Sequence, residues 1–276
     1  FYDTMPNAKA VIDLASEQTG LDIPALCFEE NDKLNITEYT QICMLAVEAA
    51  IYQAIIDKGI TPDVTAGLSL GEYGALIASG AMTMADAFAV VRKRGIYMQE
   101  AVPKGGAMTA VLGLDPQVIE DICKKTADET NSVVSVANYN CPGQIVISGS
   151  IEGINKACEL MKAAGAKRAL PLKVGGAFHS PLMDPAKVEL EAAINATNFH
   201  TPKCPVYQNV DALPHTDPAE IKKNLVAQLT ASVRWTQSVK NMIADGATDF
   251  TECGPGAVLQ GLIKKIDSTV NAHGIA

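Results

Sequence analysis

Two rhythms alternate along the chain: apolar residues spaced three and four apart, and short unbroken apolar runs. The first predicts amphipathic helices and the second buried strands, so the pattern reads as an α/β protein with a short, mostly parallel sheet covered on both faces. Helical spacing covers residues 7–18 and, briefly, 22–27. Asn35-Ile36-Thr37-Glu38 opens a long helix reaching about Lys58, where Gly59 is a stop signal; Ile42, Leu45, Ala49 and Ala50 fall on its core face. Val64-Thr65-Ala66 ends a short strand, residues 72–79 form a helix stopped by Gly80, and Thr83 with Asp86 caps a helix ending near Gln99-Glu100.

From about Ala107 to Val174 the spacing changes. Residues 108–114, 132–138, 144–148 and 168–174 read as strands, and residues 116–127 and 151–164 as helices. The order β-α-β-β-α-β is that of a ferredoxin-like unit, with Asn140-Cys141-Pro142-Gly143 turning between its middle strands. The expected organisation is a large α/β domain of residues 1–104 and 175–276, with residues 105–174 inserted as a small ferredoxin-like domain. Val102-Pro103-Lys104-Gly105-Gly106 and Gly175-Gly176 would be the hinges. Beyond the insert, residues 181–197, 218–229 and 236–245 read as helices, 206–210 and 248–253 as strands, and Gly254-Pro255-Gly256 leads into a closing helix.

Composition narrows the function. At 276 residues, 48% of them hydrophobic and only 19% charged, the chain can bury a full core. A net charge of -9 argues against sequence-independent binding to nucleic acid, which needs a basic face. Seven scattered cysteines form no C-x-x-C pair, so neither a zinc site nor a redox motif is suggested, and they fit reduced thiols in a cytoplasmic setting. The most apolar run, residues 43–56, is cut by Glu48 and Gln53 and is too short to span a bilayer. No signal-peptide pattern opens the chain; Phe1-Tyr2-Asp3-Thr4-Met5-Pro6 runs straight into helical text, and a further N-terminal piece is expected before it.

Gly67-Leu68-Ser69-Leu70-Gly71 falls between a predicted strand and a predicted helix. In that context Gly-x-Ser-x-Gly is a nucleophile elbow, a sharp turn that stands the serine hydroxyl at the positive end of a helix. Its other reading is a glycine-rich turn closed by an ordinary helix cap. A serine nucleophile needs a base, and the histidines are His179, His200, His215 and His273. His200 and His215 stand beside prolines in loop-like, exposed text, and His273 in a tail. His179 follows Gly175-Gly176-Ala177-Phe178 at a strand end and precedes a helix start, which makes it the best-placed base. No carboxylate is evidently set to complete a triad. Asp184 falls within the following helix, and a carbonyl or amide could fix the imidazole tautomer instead. Arg94 reads either as a surface cation near a helix C-terminus or as a fork for a substrate carboxylate, and spacing leaves both open.

Six stretches occur in one order across almost the whole chain: Gly67-Leu68-Ser69-Leu70-Gly71-Glu72-Tyr73, Arg92-Lys93-Arg94-Gly95-Ile96-Tyr97-Met98-Gln99, Asn138-Tyr139-Asn140-Cys141-Pro142-Gly143-Gln144, Phe178-His179-Ser180-Pro181-Leu182-Met183, Gln208-Asn209-Val210 and Glu252-Cys253-Gly254-Pro255-Gly256. Together they resemble the malonyl-CoA:acyl carrier protein transacylase family of bacterial fatty-acid synthesis. The resemblance implies an α/β-hydrolase-like large domain. It implies Ser69 as the acylated nucleophile, His179 as its base, Leu70 as an oxyanion N–H, and Gln228 as a main-chain carbonyl that orients the histidine. Asn209 would be a supporting polar group near that histidine, Arg94 the clamp on the malonyl carboxylate, and Phe178 the mark of malonyl selectivity.

The same resemblance implies no metal and no cofactor beyond the substrates malonyl-CoA and holo-acyl carrier protein. It implies a cytoplasmic monomer whose partner is the carrier, with no membrane. The family's carrier is acidic, so docking on this acidic chain would need local cations, with Lys167, Arg168 and Lys173, or Lys264 and Lys265, as candidates. Three departures stand out. Leu68 replaces a histidine common before the nucleophile, and Gly175-Gly176 loosens the lead into Phe178. The chain also starts after the strand and Gly-Gln-Gly loop whose glutamine would supply a second oxyanion N–H. Two other classes stay open: a serine esterase or thioesterase using Ser69 and His179 with water as acceptor, and a noncatalytic module that binds the acyl carrier.

Overall fold

The computed structural model describes residues 2–102 and 104–275; Pro103, within the first expected hinge, lies outside them. Helix α1 (Pro6–Thr19) ends where Gly20 turns left-handed, and the Asp22 side chain caps α2 (Ile23–Phe28) by accepting from the Ala25 N–H. Both pack on α3 (Thr37–Ile56), the central helix of the larger part. Strand β1 (Thr65–Ala66) enters α4 (Gly71–Ser79), and α5 (Met84–Ala101) follows, capped by Thr83 through the Asp86 N–H as its sequence predicts. Ile12 of α1, Ile42 and Leu45 of α3, Leu76 of α4 and Phe88 of α5 meet in one buried core. Helix α3 has 20 residues, more than the apolar run 43–56, and an 18-residue stretch of it has a mean hydropathy of 1.3, enough by length and composition alone to cross a bilayer. In this fold that apolar length packs against protein, with Gln41, Ile42, Leu45, Ala46, Ala49 and Ala50 among its buried residues.

The middle of the chain forms a separate sheet. It comprises β2 (Gly106–Leu112), α6 (Pro116–Thr130), β3 (Val134–Cys141), β4 (Gln144–Ser150), α7 (Ile151–Ala163) and β5 (Arg168–Pro171). All neighbours are antiparallel, in the order β3-β4-β2-β5. One face buries Val111, Val136, Ile145 and Ile147 beneath Ile119 of α6 and Ile154 of α7. The other carries Met108, Ala110, Ala137 and Val146 against Phe178.

After the 3-10 turn Pro181–Met183 come α8 (Asp184–Asn195), β6 (Val206–Tyr207), β7 (Pro214–His215), α9 (Pro218–Ala227) and α10 (Trp235–Ala244). Then follow β8 (Asp249–Cys253), α11 (Val258–Ile266) and β9 (Asn271–Ile275). The single parallel sheet expected from the pattern is two pieces. β1 runs parallel to β6, with β7 antiparallel beyond it, and β8 runs parallel to β9. A cleft of about 730 Å³ between the two pieces is lined by Thr65, Gly67, Trp235, Phe250 and Glu252. The strand over residues 206–210 stops at Tyr207 because Gln208 and Asn209 turn to hydrogen-bond the buried Glu72. His273 is in β9 rather than a tail, and His215, in β7, is half-buried and 2.8 Å from Asp211 rather than exposed.

Glu48 of α3 also lines the cleft, and burial, reinforced by Glu252, pushes its carboxyl up to about 8. A carboxyl raised above its unfolded value contributes stability below about pH 4.5, and that contribution fades as pH rises through 8. Glu48→Gln should therefore raise stability at neutral and alkaline pH by about 1–2 kcal/mol and flatten the loss between those values. Urea unfolding across that range measures it; an unchanged pH slope would count against the assignment.

Candidate active site

Gly67 approaches the first turn of α4 so closely that a Cβ there would run into the Gly71 carbonyl, so glycine is required on steric grounds. Ser69 then adopts φ 54°, left-handed and costly for a residue with a side chain. Both its peptide groups are held by side chains: the N–H donates to Asn209 Oδ1 at 2.6 Å, and the carbonyl accepts from Gln228 Nε2 at 3.0 Å. Asn209 Nδ2 donates to the Gly67 carbonyl at 2.7 Å. The Asn209 N–H donates to one oxygen of Glu72 at 2.8 Å, and Gln208 Nε2 to the other at 2.9 Å. Glu72 is wholly buried, and burial raises its pKa against the opposing pull of those donors and of Arg94. Asn209 thus supports the serine's backbone rather than the histidine, to which it makes no hydrogen bond among the described residues.

His179 is also left-handed, at φ 57°, and is 4% exposed. Its Nε2 is 2.7 Å from Ser69 Oγ, and its Nδ1 is 2.9 Å from the Gln228 carbonyl. A carbonyl only accepts, so Nδ1 carries the proton and Nε2 presents its lone pair to the Ser69 hydroxyl, which donates. Burial, followed by the charge of Arg94, pushes this imidazole down to about 4. The group that orients the base is neutral.

Arg94 is 1% exposed, which removes the surface-cation reading of its spacing. Nη1 donates to Gln41 Oε1 at 2.5 Å, and Nη2 to Ser69 Oγ and Gln228 Oε1, each at 3.1 Å. Its guanidinium carbon lies 5.5 Å from the centre of the Tyr73 ring, and its Nε has no partner among the described residues. Burial pulls its pKa down. Sequence reasoning missed Gln41, whose Nε2 donates to Met98 Sδ at 3.3 Å; an amide on an otherwise apolar helix face was the signal available. Leu70, the residue before α4, has no acceptor for its N–H among the described residues, so that N–H is available to an oxyanion. Phe178 bridges the two cores. Among the described residues no group of His, Cys, Asp and Glu could hold a metal ion, and the seven cysteines are free.

The family described as acyl transferase domain matches residues 1–273. The chain belongs to the acyl transferase family. This acyl transferase is 46% identical over 268 residues to the malonyl CoA-acyl carrier protein transacylase of Bacillus subtilis, covering 96% of this chain and 84% of that one. It is similar to the crystal structure of MCAT from Streptococcus pneumoniae, with a TM-score of 0.95 and 44% identity over 100% of this chain and 90% of that one. A second solved structure, a type II PKS acyl-carrier protein in complex with its malonyl-transacylase, matches with a TM-score of 0.96 and 39% identity, covering 99% and 89%. An acyl transferase needs a nucleophile and a base in contact, and Ser69 and His179 meet that requirement.

With its pKa depressed to about 4, His179 stays neutral through the weakly acidic range and is free to accept a proton there. The pH profile of kcat/KM should be level down to about pH 5 and fall as pH drops through about 4. A limb near 6.5 would mean an imidazole in contact with water.

Proposed function

We propose that this acyl transferase moves a malonyl group from malonyl-CoA to the phosphopantetheine thiol of an acyl carrier protein, through an ester on Ser69. The names of its relatives and the solved carrier complex support this reading. The observation that carries it is the buried Arg94 guanidinium 3.1 Å from Ser69 Oγ, a cation placed for an acyl group that ends in a carboxylate. His179 takes the Ser69 proton as Oγ attacks the thioester carbonyl, and the Leu70 N–H meets the developing oxyanion. The C–S bond breaks, and the CoA thiolate leaves with the proton from the imidazolium. The carrier thiol then gives its proton to His179 and attacks the ester, and Ser69 recovers its proton as the new thioester forms. The Gln228 carbonyl orients the base, Asn209 holds the serine amide and Phe178 closes the acyl pocket.

The finer architecture belongs to the same reading: an α/β-hydrolase-like body of residues 1–104 and 175–276 with a ferredoxin-like insert of residues 105–174. The strand order β3-β4-β2-β5 and the separate core of the insert support it. The reading takes a cytoplasmic monomer with no cofactor beyond its substrates.

Intact mass with peptide mapping tests the intermediate. Malonyl-CoA should leave a malonyl adduct on Ser69 that moves to added holo-carrier; no adduct, or one lost only to water, would refute the transfer. Arg94→Ala should lower kcat/KM for malonyl-CoA by about ten- to a hundredfold, the worth of a charged hydrogen bond, and keep some acetyl transfer, so that the preference for malonyl is lost. Unchanged preference between the two would remove Arg94 from its role.

A further inference from the structure

Two charged side chains are buried at the elbow, Arg94 and Glu72, and the reaction drawn above uses only the first. Glu72 stands in the first turn of α4 with both oxygens occupied, one by the Asn209 N–H at 2.8 Å and the other by Gln208 Nε2 at 2.9 Å. Gln208, itself fully buried, also donates through Nε2 to the Ile221 carbonyl at 3.1 Å. Both hydrogens of that amide therefore meet acceptors, and its oxygen needs a donor on the opposite side. Asn224 of α9 supplies it, with Nδ2 donating to Gln208 Oε1 at 3.1 Å. The same nitrogen lies 3.4 Å from Asp211 Oδ2, so acceptors on two sides fix which end of the Asn224 amide faces inward. His215 Nε2, 2.8 Å from that Asp211 oxygen, holds the carboxylate in place. Asn224 is only partly buried and makes no hydrogen bond to Ser69 or His179 among the described residues.

What stands at the inner end gives this order its weight. Asn209, whose N–H Glu72 accepts, takes the Ser69 N–H at 2.6 Å and donates to the Gly67 carbonyl at 2.7 Å, and these bonds hold the serine left-handed. A strained backbone persists only where its surroundings over-determine it. If the Gln208 amide turned over, its oxygen would face a carboxylate and a carbonyl, and Glu72 would lose a donor. The elbow would then relax, and a serine displaced by a fraction of an ångström attacks more slowly without binding its substrate less well.

We propose that Asn224 is a positioning residue for Ser69, acting through Gln208, Glu72 and Asn209. This rests on Ser69 being the nucleophile, as in the reading above. Three side chains and one peptide group thus link the partly exposed face of α9 to the reacting hydroxyl, and the donors from both ends converge on one carboxylate.

The test reverses the polarity of that link. N224D puts a carboxylate where Gln208 Oε1 needs a donor, and E72Q puts an NH2 group where Gln208 already donates, so each variant alone sets like groups against each other. In N224D/E72Q the Gln208 amide can turn over: it donates to the new carboxylate at 224 and accepts from the new amide at 72, whose oxygen still takes the Asn209 N–H. Malonyl transfer is measured beside the rate at which a fluorophosphonate probe phosphonylates Ser69, read by intact mass, which needs neither malonyl nor carrier. Each single variant should lose about tenfold or more in kcat and in probe rate, with KM within about twofold. The double variant should be faster than both single variants, though slower than the unsubstituted protein, because Asp211 and the Ile221 carbonyl still favour the original direction. N224A removes the donor without adding a charge and should cost about threefold in both rates. A double variant no faster than the faster single one would overturn the proposal, as would unchanged rates in N224A. If the unsubstituted protein takes the probe but no malonyl, the transacylase reading falls, and the order of the probe rates still decides the role of Asn224.

Discussion

A guanidinium only 1% exposed must find its stabilisation inside the protein, and the site is assembled around that requirement. Arg94 has neutral oxygens from three separate stretches of chain as acceptors, Gln41 on α3, Ser69 at the elbow and Gln228 after α9, with the Tyr73 ring near its face. Leaving such a cation short of partners costs about 3–5 kcal/mol, so these elements are bound to one arrangement. The same charge reaches further. It helps hold His179 unprotonated and opposes the effect of burial on Glu72, so one side chain influences the titration of both the base and the carboxylate behind the elbow.

The local chemistry of the chain was largely legible before the fold. Thr83 with Asp86, Gly80 after the elbow helix, and Gly67 beneath Ser69 each act over a few residues, and each does what its neighbours dictate. The strands and helices between residues 106 and 171 were legible too, since they alternate within a short stretch, although the strand ends shift by two or three residues. What escaped detection depends on partners far away in sequence. Gln41 lies 53 positions from Arg94, and nothing in a helical pattern says that an amide among alanines and leucines faces a cation. The β9 strand was read as a tail because five residues without strong alternation become a strand only when β8 is there to pair with. Arg94 itself was ambiguous for the same reason, its burial being a property of α3 and α4 as much as of α5.

Strain and rigidity go together at the reacting pair. Ser69 and His179 are both left-handed, and each is held by groups outside its own turn: Asn209 and Gln228 on the serine, the Gln228 carbonyl on the imidazole. Gln228 therefore serves three members at once, through its main-chain oxygen, its side-chain oxygen and its side-chain nitrogen. That shared use ties the segment after α9 to the elbow.

The neutral carbonyl behind His179 has a chemical consequence. A carboxylate there would steady an imidazolium; a carbonyl does so less, and the buried cation nearby keeps the base weak. A weak base sorts acceptors by how readily they yield a proton. A thiol, at about 8.5, yields it far more easily than water, at about 15.7. On the proposed pathway the serine ester thus partitions toward sulfur, outlasting the water around it until a second thiol arrives.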